Sequence, residues 1–109
     1  MSDRAEEQEH AVIVYFDYTK SDMEPLNKLA EQLTQIIDDN QVGEYDGHNI
    51  AVNYSDGIFY MYGPNAEKLF KVIKHVLETV DFMKGATAKL RFGPPEDGVK
   101  EIEVQIGLD

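Results

Sequence analysis

The chain contains no cysteine. Disulfides, thiol nucleophiles and thiolate-held metals are excluded, and nothing points to an oxidising compartment. Long hydrophobic runs are missing too. The continuous apolar stretch Ala11-Val12-Ile13-Val14-Tyr15-Phe16 falls far short of the roughly 20 residues that a membrane-spanning helix needs. The first nine residues are polar and acidic, unlike a secretory or transit segment. A cytoplasmic protein is the expectation, with no membrane partner.

Basic residues are also scarce. Ten Lys and Arg stand against 21 Asp and Glu, a formal net charge of −11. Such a surface repels phosphate backbones, so no nucleic acid is expected as a partner. The deficit is uneven: residues 1–57 hold 13 acidic and three basic side chains, residues 58–109 eight and seven. The expected molecule is dipolar, which suits self-association or the steering of a basic partner.

Catalytic signatures are lacking as well. The chain has no phosphate loop, dinucleotide fingerprint or zincin motif. His10, His48 and His75 are scattered, and no serine is spaced to pair with one of them. Glu44, Asp46 and His48 alternate and would share a face in an extended strand, a set able to hold a divalent metal. A turn at Asp46-Gly47 is the simpler reading. Asp38-Asp39-Asn40 with Gly43 begins like a calcium loop, but Val42 stands where an oxygen ligand is required and Asn49 where a bidentate glutamate is required. No cofactor and no metal are called for.

What is present reads as one folded domain over 10–109, after an acidic leader over 1–9 expected to be disordered. The apolar run 11–16 is a central strand. Ser21-Asp22-Met23-Glu24-Pro25 is a helix start with capping-box spacing. Leu26, Leu29, Ala30, Leu33, Ile36 and Ile37 then make an apolar stripe. Residues 49–54 alternate as a strand, and Asp56-Gly57 has the chemistry of a two-residue hairpin turn. That turn would set Tyr54 opposite Phe59 and Asn53 opposite Tyr60.

Ile58-Phe59-Tyr60-Met61-Tyr62 is the next strand, stopped by Gly63-Pro64, with Asn65 capping a second helix. Ala66, Leu69, Phe70, Ile73, Val76, Leu77 and Val80 form its apolar stripe. Two alternating strands follow, 86–92 and 102–106, across a Gly-Pro-Pro turn cluster. The order β-α-β-β-α-β with one added strand is a ferredoxin-like α+β sandwich. Right-handed crossovers predict one five-stranded antiparallel sheet in the order 5-4-1-3-2, with both helices on one face.

The strings Gly43-Glu44-Tyr45-Asp46-Gly47-His48, Tyr60-Met61-Tyr62-Gly63-Pro64-Asn65-Ala66 and Leu90-Arg91-Phe92-Gly93-Pro94-Pro95 resemble a group of small uncharacterised bacterial proteins. That resemblance carries no activity with it. In size, charge and fold class the chain is also similar in outline to protein inhibitors of ribonucleases.

The sheet face that the helices leave open is the expected contact surface. Strand alternation assigns it Tyr15, Asp17, Asn53, Tyr60, Tyr62, Lys89 and Arg91, and tyrosine and arginine at the middle of a face are typical of interface centres. A non-enzymatic interaction or inhibitory domain follows, most simply a homodimer, or one that binds another protein of basic character. The alternative is a small-ligand-binding protein or enzyme whose pocket forms between paired sheets, drawing on Tyr15, Asp17, Tyr60 and Arg91.

Overall fold

The computed structural model describes residues 10–107; the expected leader over 1–9 lies outside them. Strands β1 (His10–Asp17), β2 (Glu44–Ile50), β3 (Asp56–Gly63), β4 (Thr87–Arg91) and β5 (Glu101–Gln105) form one antiparallel sheet, ordered β2-β3-β1-β4-β5. Helices α1 (Glu24–Asn40) and α2 (Ala66–Glu78) pack on one face, with a short 3-10 turn at Asp81–Met83. Fold class and strand order are those expected.

The core lies between sheet and helices, and periodicity explains its membership. Even-numbered Val12, Val14 and Phe16 of β1 are buried with Phe59 and Met61 of β3 and Ala88 and Leu90 of β4. Against them come Leu26, Leu29, Leu33 and Ile37 of α1, and Leu69, Phe70, Ile73 and Leu77 of α2. Each side chain of this kind contributes roughly 1.5–3 kcal/mol of burial free energy. An aromatic band closes one end: Phe16 stacks on Phe59 at 4.9 Å between centroids, and Phe82 meets Tyr18 edge-on at 5.1 Å.

The start of α1 departs from the capping-box expectation. The helix begins at Glu24 behind Met23, with no capping side chain at that position. Instead the Asp22 carboxylate accepts the Glu24 N–H at 2.9 Å. The Tyr18 hydroxyl accepts the Leu26 N–H at 3.3 Å and donates to the Asp22 carbonyl at 2.5 Å. Asp22, one of the two candidate caps with Ser21, thus takes the Glu24 N–H, and the fully buried Tyr18 adds an acceptor for the Leu26 N–H from the end of the sheet. At α2 the expected cap is present: the Asn65 side chain accepts the Lys68 N–H at 3.1 Å. His10 Nδ1 adds a second tie by accepting the Ala66 N–H, also at 3.1 Å.

The larger correction concerns the β2–β3 hairpin. Asp56 and Gly57 are not its turn; they open β3 and pair with Asp17 and Phe16 of β1. The partner strand lies earlier, at Glu44–Ile50, with His48 opposite Phe59 and Asn49 opposite Ile58. Residues 51–55 form the loop, held by Ala51 N–H to Asp56 O (3.0 Å) and Tyr54 N–H to Ala51 O (2.8 Å). Tyr54 takes a left-handed φ of 63° there, and its ring packs on Tyr18. Val52, placed in the core by the shorter hairpin, is fully exposed.

The reason is space rather than turn chemistry. A Cβ on Gly57 would overlap Ile50 Cδ1 and lie 2.7 Å from Phe16 Cζ. A side chain here would make the ends of Ile50 and Phe16 shift, so glycine serves close packing, and no positive φ is involved.

Candidate functional site: the open sheet face

The face opposite the helices is built by the odd-numbered residues of β1 and their cross-strand neighbours. Three ranks run across it in the order β2, β3, β1, β4, β5. The first is Glu44, Tyr62, Ala11, Arg91, Glu101. The second is Gly47, Tyr60, Ile13, Lys89, Glu103, and the third Asn49, Ile58, Tyr15, Thr87, Gln105. Read as columns, the face has an apolar and aromatic middle, a basic stripe on β4 and an acidic stripe on β5. Tyr15 is 40 % exposed, and Ile13, Ile58, Tyr60 and Tyr62 are half-buried.

Local contacts hold these side chains in place. Asn49 Nδ2 donates to the Tyr60 hydroxyl at 3.2 Å, and Gln105 Nε2 to Thr87 Oγ1 at 3.0 Å. Lys89 Nζ lies over the Tyr15 ring, 6.0 Å from its centroid, a contact worth roughly 0.5–1 kcal/mol where exposed. Arg91 Nε donates to the Gly93 carbonyl at 2.7 Å, which orients the guanidinium along the strand end.

Of the seven residues assigned to this face from sequence, Tyr15, Asp17, Tyr60, Tyr62, Lys89 and Arg91 are on it. Asn53 is not. It belongs to the 51–55 loop, where its Oδ1 accepts the Ser55 N–H at 3.1 Å, because the register that placed it opposite Tyr60 is replaced by the earlier strand. Ala11, Ile13, Ile58, Thr87, the β5 column Glu101, Glu103 and Gln105, and the β2 column complete the surface, and the β2 column follows only from the true register.

Tyr15, Asp17, Tyr60 and Arg91 do not converge. Tyr15 is level with Thr87, while Arg91 is level with Ala11, a separation of about 13 Å along the strands. Beside Tyr15 the face carries an open groove of about 370 Å³ whose lining includes Asp17, Asp56, Ile58, Lys84 and Thr87 but neither Tyr60 nor Arg91.

Glu44, Asp46 and His48 do not converge either. A bulge between Tyr45 and Gly47 shifts the register at Asp46. Glu44 therefore stands level with Tyr62 on the open face, while His48 turns to the helix side opposite Phe59. There His48 Nδ1 is hydrogen-bonded to the Tyr45 hydroxyl, and both rings pack against Phe59. Burial lowers the His48 imidazole below its ordinary pKa and raises the Tyr45 phenol well above its own. This pair escapes sequence reading because two residues three apart share a strand face only across a bulge. Among the described residues no group of three or more His, Asp or Glu is placed to hold a metal ion, and no helix is long and apolar enough to cross a membrane.

Compared with protein-family models, curated proteins and solved structures, the chain matches none of them.

Proposed function

We propose that this chain is a non-catalytic protein-interaction domain of the cytoplasm, regulatory or inhibitory in role, whose contact surface is the open sheet face. The observation that carries the reading is the three-rank array itself. Its middle, Tyr62-Tyr60-Ile58 beside Ala11-Ile13-Tyr15, is apolar and aromatic, on the side away from the helices. Ala11 is fully covered, Tyr15 is exposed and the other four are half-buried. An apolar and aromatic strip that still reaches solvent suits an interaction site, and tyrosine offers contact area at low entropic cost.

A second copy is the first partner to consider, because a two-fold pairing needs no other molecule. The whole five-strand face, charged stripes included, spans roughly 25 by 20 Å from strand spacing and rise, at the lower end of what stable partners bury. A reversible dimer fits that size better than an obligate one. A basic protein is the next partner, favoured by the charge of −11.

Light scattering over a concentration series tests the first partner, with Tyr60→Glu and Ile13→Lys as face-breaking variants. Capture on the tagged protein at low and high salt tests the second. Association that both variants weaken supports the reading. A strict monomer at high concentration that also captures nothing at either salt would sink it.

A further inference from the structure

The two edges of the sheet differ. β2 is interrupted by its bulge at Asp46, a device that discourages further strand pairing. β5 is regular through all five of its pairs with β4. The pairing continues on both sides, with Phe92 N–H to Lys100 O at 2.9 Å and Ile106 N–H to Ala86 O at 2.8 Å. Lys100 and Ile106 therefore turn their backbone groups toward β4. By antiparallel alternation Ile102 and Val104 do the same, and the N–H and C=O groups of Glu101, Glu103 and Gln105 point outward. Ile102 is 41 % exposed on the other face of this edge.

We propose that the β5 edge accepts one further strand, a segment of another protein in which basic and apolar residues alternate. Charge order selects the occupant. Across the open face β4 presents Arg91 and Lys89, and β5 answers with Glu101 and Glu103 directly opposite them. A sixth strand bearing Lys or Arg level with Glu101 and Glu103 continues that alternation of sign, and its apolar residues would extend the row of Ile102 and Val104 on the helix side. Opposite-charge and apolar cross-strand pairs both stabilise a sheet, and main-chain bonds to a free edge supply affinity.

The same glutamates disfavour a second copy in two registers. Antiparallel pairing centred on Glu103 sets it against its own twin, and pairing centred on Ile102 sets Glu101 against Glu103 twice. Pairing centred on Val104 would set Glu103 against Gln105, a register left to the dimer outcome of the experiment. This edge borders the open face and shares Glu101 and Glu103 with it, but strand addition through the β5 backbone does not depend on the face being a contact surface.

The experiment uses the full chain and a labelled, end-blocked peptide alternating lysine with valine, followed by fluorescence anisotropy and by 15N amide shifts. Two peptides serve as controls: one alternating glutamate with valine, and the lysine peptide with alternate amides N-methylated. Expected is binding of the lysine peptide alone, weakened by salt, with shifts concentrated at Glu101, Glu103 and Gln105. Glu103→Pro removes an outward N–H together with the Glu103 carboxylate, and Glu103→Gln removes the carboxylate alone. At an edge strand the fold is retained in both, and binding should fall about tenfold or more with proline and clearly less with glutamine. Should the proline variant fail to fold, Glu101→Lys with Glu103→Lys keeps the test alive, because it must exchange the preference toward the glutamate peptide. Equal binding of the N-methylated peptide, insensitivity to Glu103→Pro, shifts elsewhere, or no binding at all would each overturn the proposal. So would a dimer that Glu103→Pro converts to monomer, since the occupant would then be a second copy.

Discussion

The Tyr45 hydroxyl is hydrogen-bonded to Nδ1 of His48, and the bulge at Asp46 is what brings the two rings to the same side of β2. Burial holds the imidazole below its ordinary pKa, so the folded chain favours neutral histidine. Around and below the ordinary histidine value of about 6.5 the unfolded chain binds more protons at this site. Stability from His48 is accordingly full above that pH and declines as the pH falls through the lowered folded value. The difference in urea midpoint between wild type and His48→Asn, followed from pH 8 to pH 5, checks this. The wild type should lose stability faster on acidification, and parallel profiles would contradict the assignment.

Tyr18→Phe isolates the buried phenol at the start of α1. The variant keeps the ring among Phe16, Tyr54 and Phe82 but leaves the Leu26 N–H without its acceptor. A loss of about 1–3 kcal/mol is expected for a buried donor so orphaned, measured by urea unfolding. Wild-type stability would mean that water replaces the hydroxyl.

Gly57→Ala separates two reasons for a glycine. If crowding by Ile50 and Phe16 is the cause, the alanine destabilises by about 1–3 kcal/mol, the usual cost of overpacking. Ile50→Val, which removes the overlapping methyl, should then recover part of the loss. A glycine needed for a turn would show no such coupling in a double-mutant cycle.

Lys89 and Glu103 are directly opposed on β4 and β5. Lys89→Glu places like charges across the strands and should cost roughly 0.2–1 kcal/mol, and Glu103→Lys in the same chain should restore it. Thermal melts at low ionic strength give the clearest reading, because both side chains reach solvent.

Element type was legible in the sequence wherever one period dominated. The stripes Leu26-Leu29-Leu33-Ile37 and Leu69-Phe70-Ile73-Leu77 are helical faces in the structure, and Phe59 with Met61 separates from Tyr60 with Tyr62 by simple alternation. That separation holds under either hairpin register, since it depends only on the pleat of β3. Strand order followed from the handedness of the crossovers.

Register and long-range ties were not legible. Asp56-Gly57 has the composition of a turn, yet it lies within β3, where a side chain at 57 would crowd the ends of Ile50 and Phe16. Nothing near Ser21 and Asp22 shows that a phenol from residue 18 will take the Leu26 N–H one turn further on.

The sequence by itself therefore determined the helices, four of the five strands and the two faces of β3, because side-chain periodicity acts over a few residues. The exception is β2, which was expected at 49–54 and lies at Glu44–Ile50. Only the tertiary structure decided which strand residues oppose each other, that Asn53 leaves the open face, and that Tyr45 meets His48. Those outcomes turn on packing between segments distant in the chain or on a single bulge, and local pattern carries no record of either.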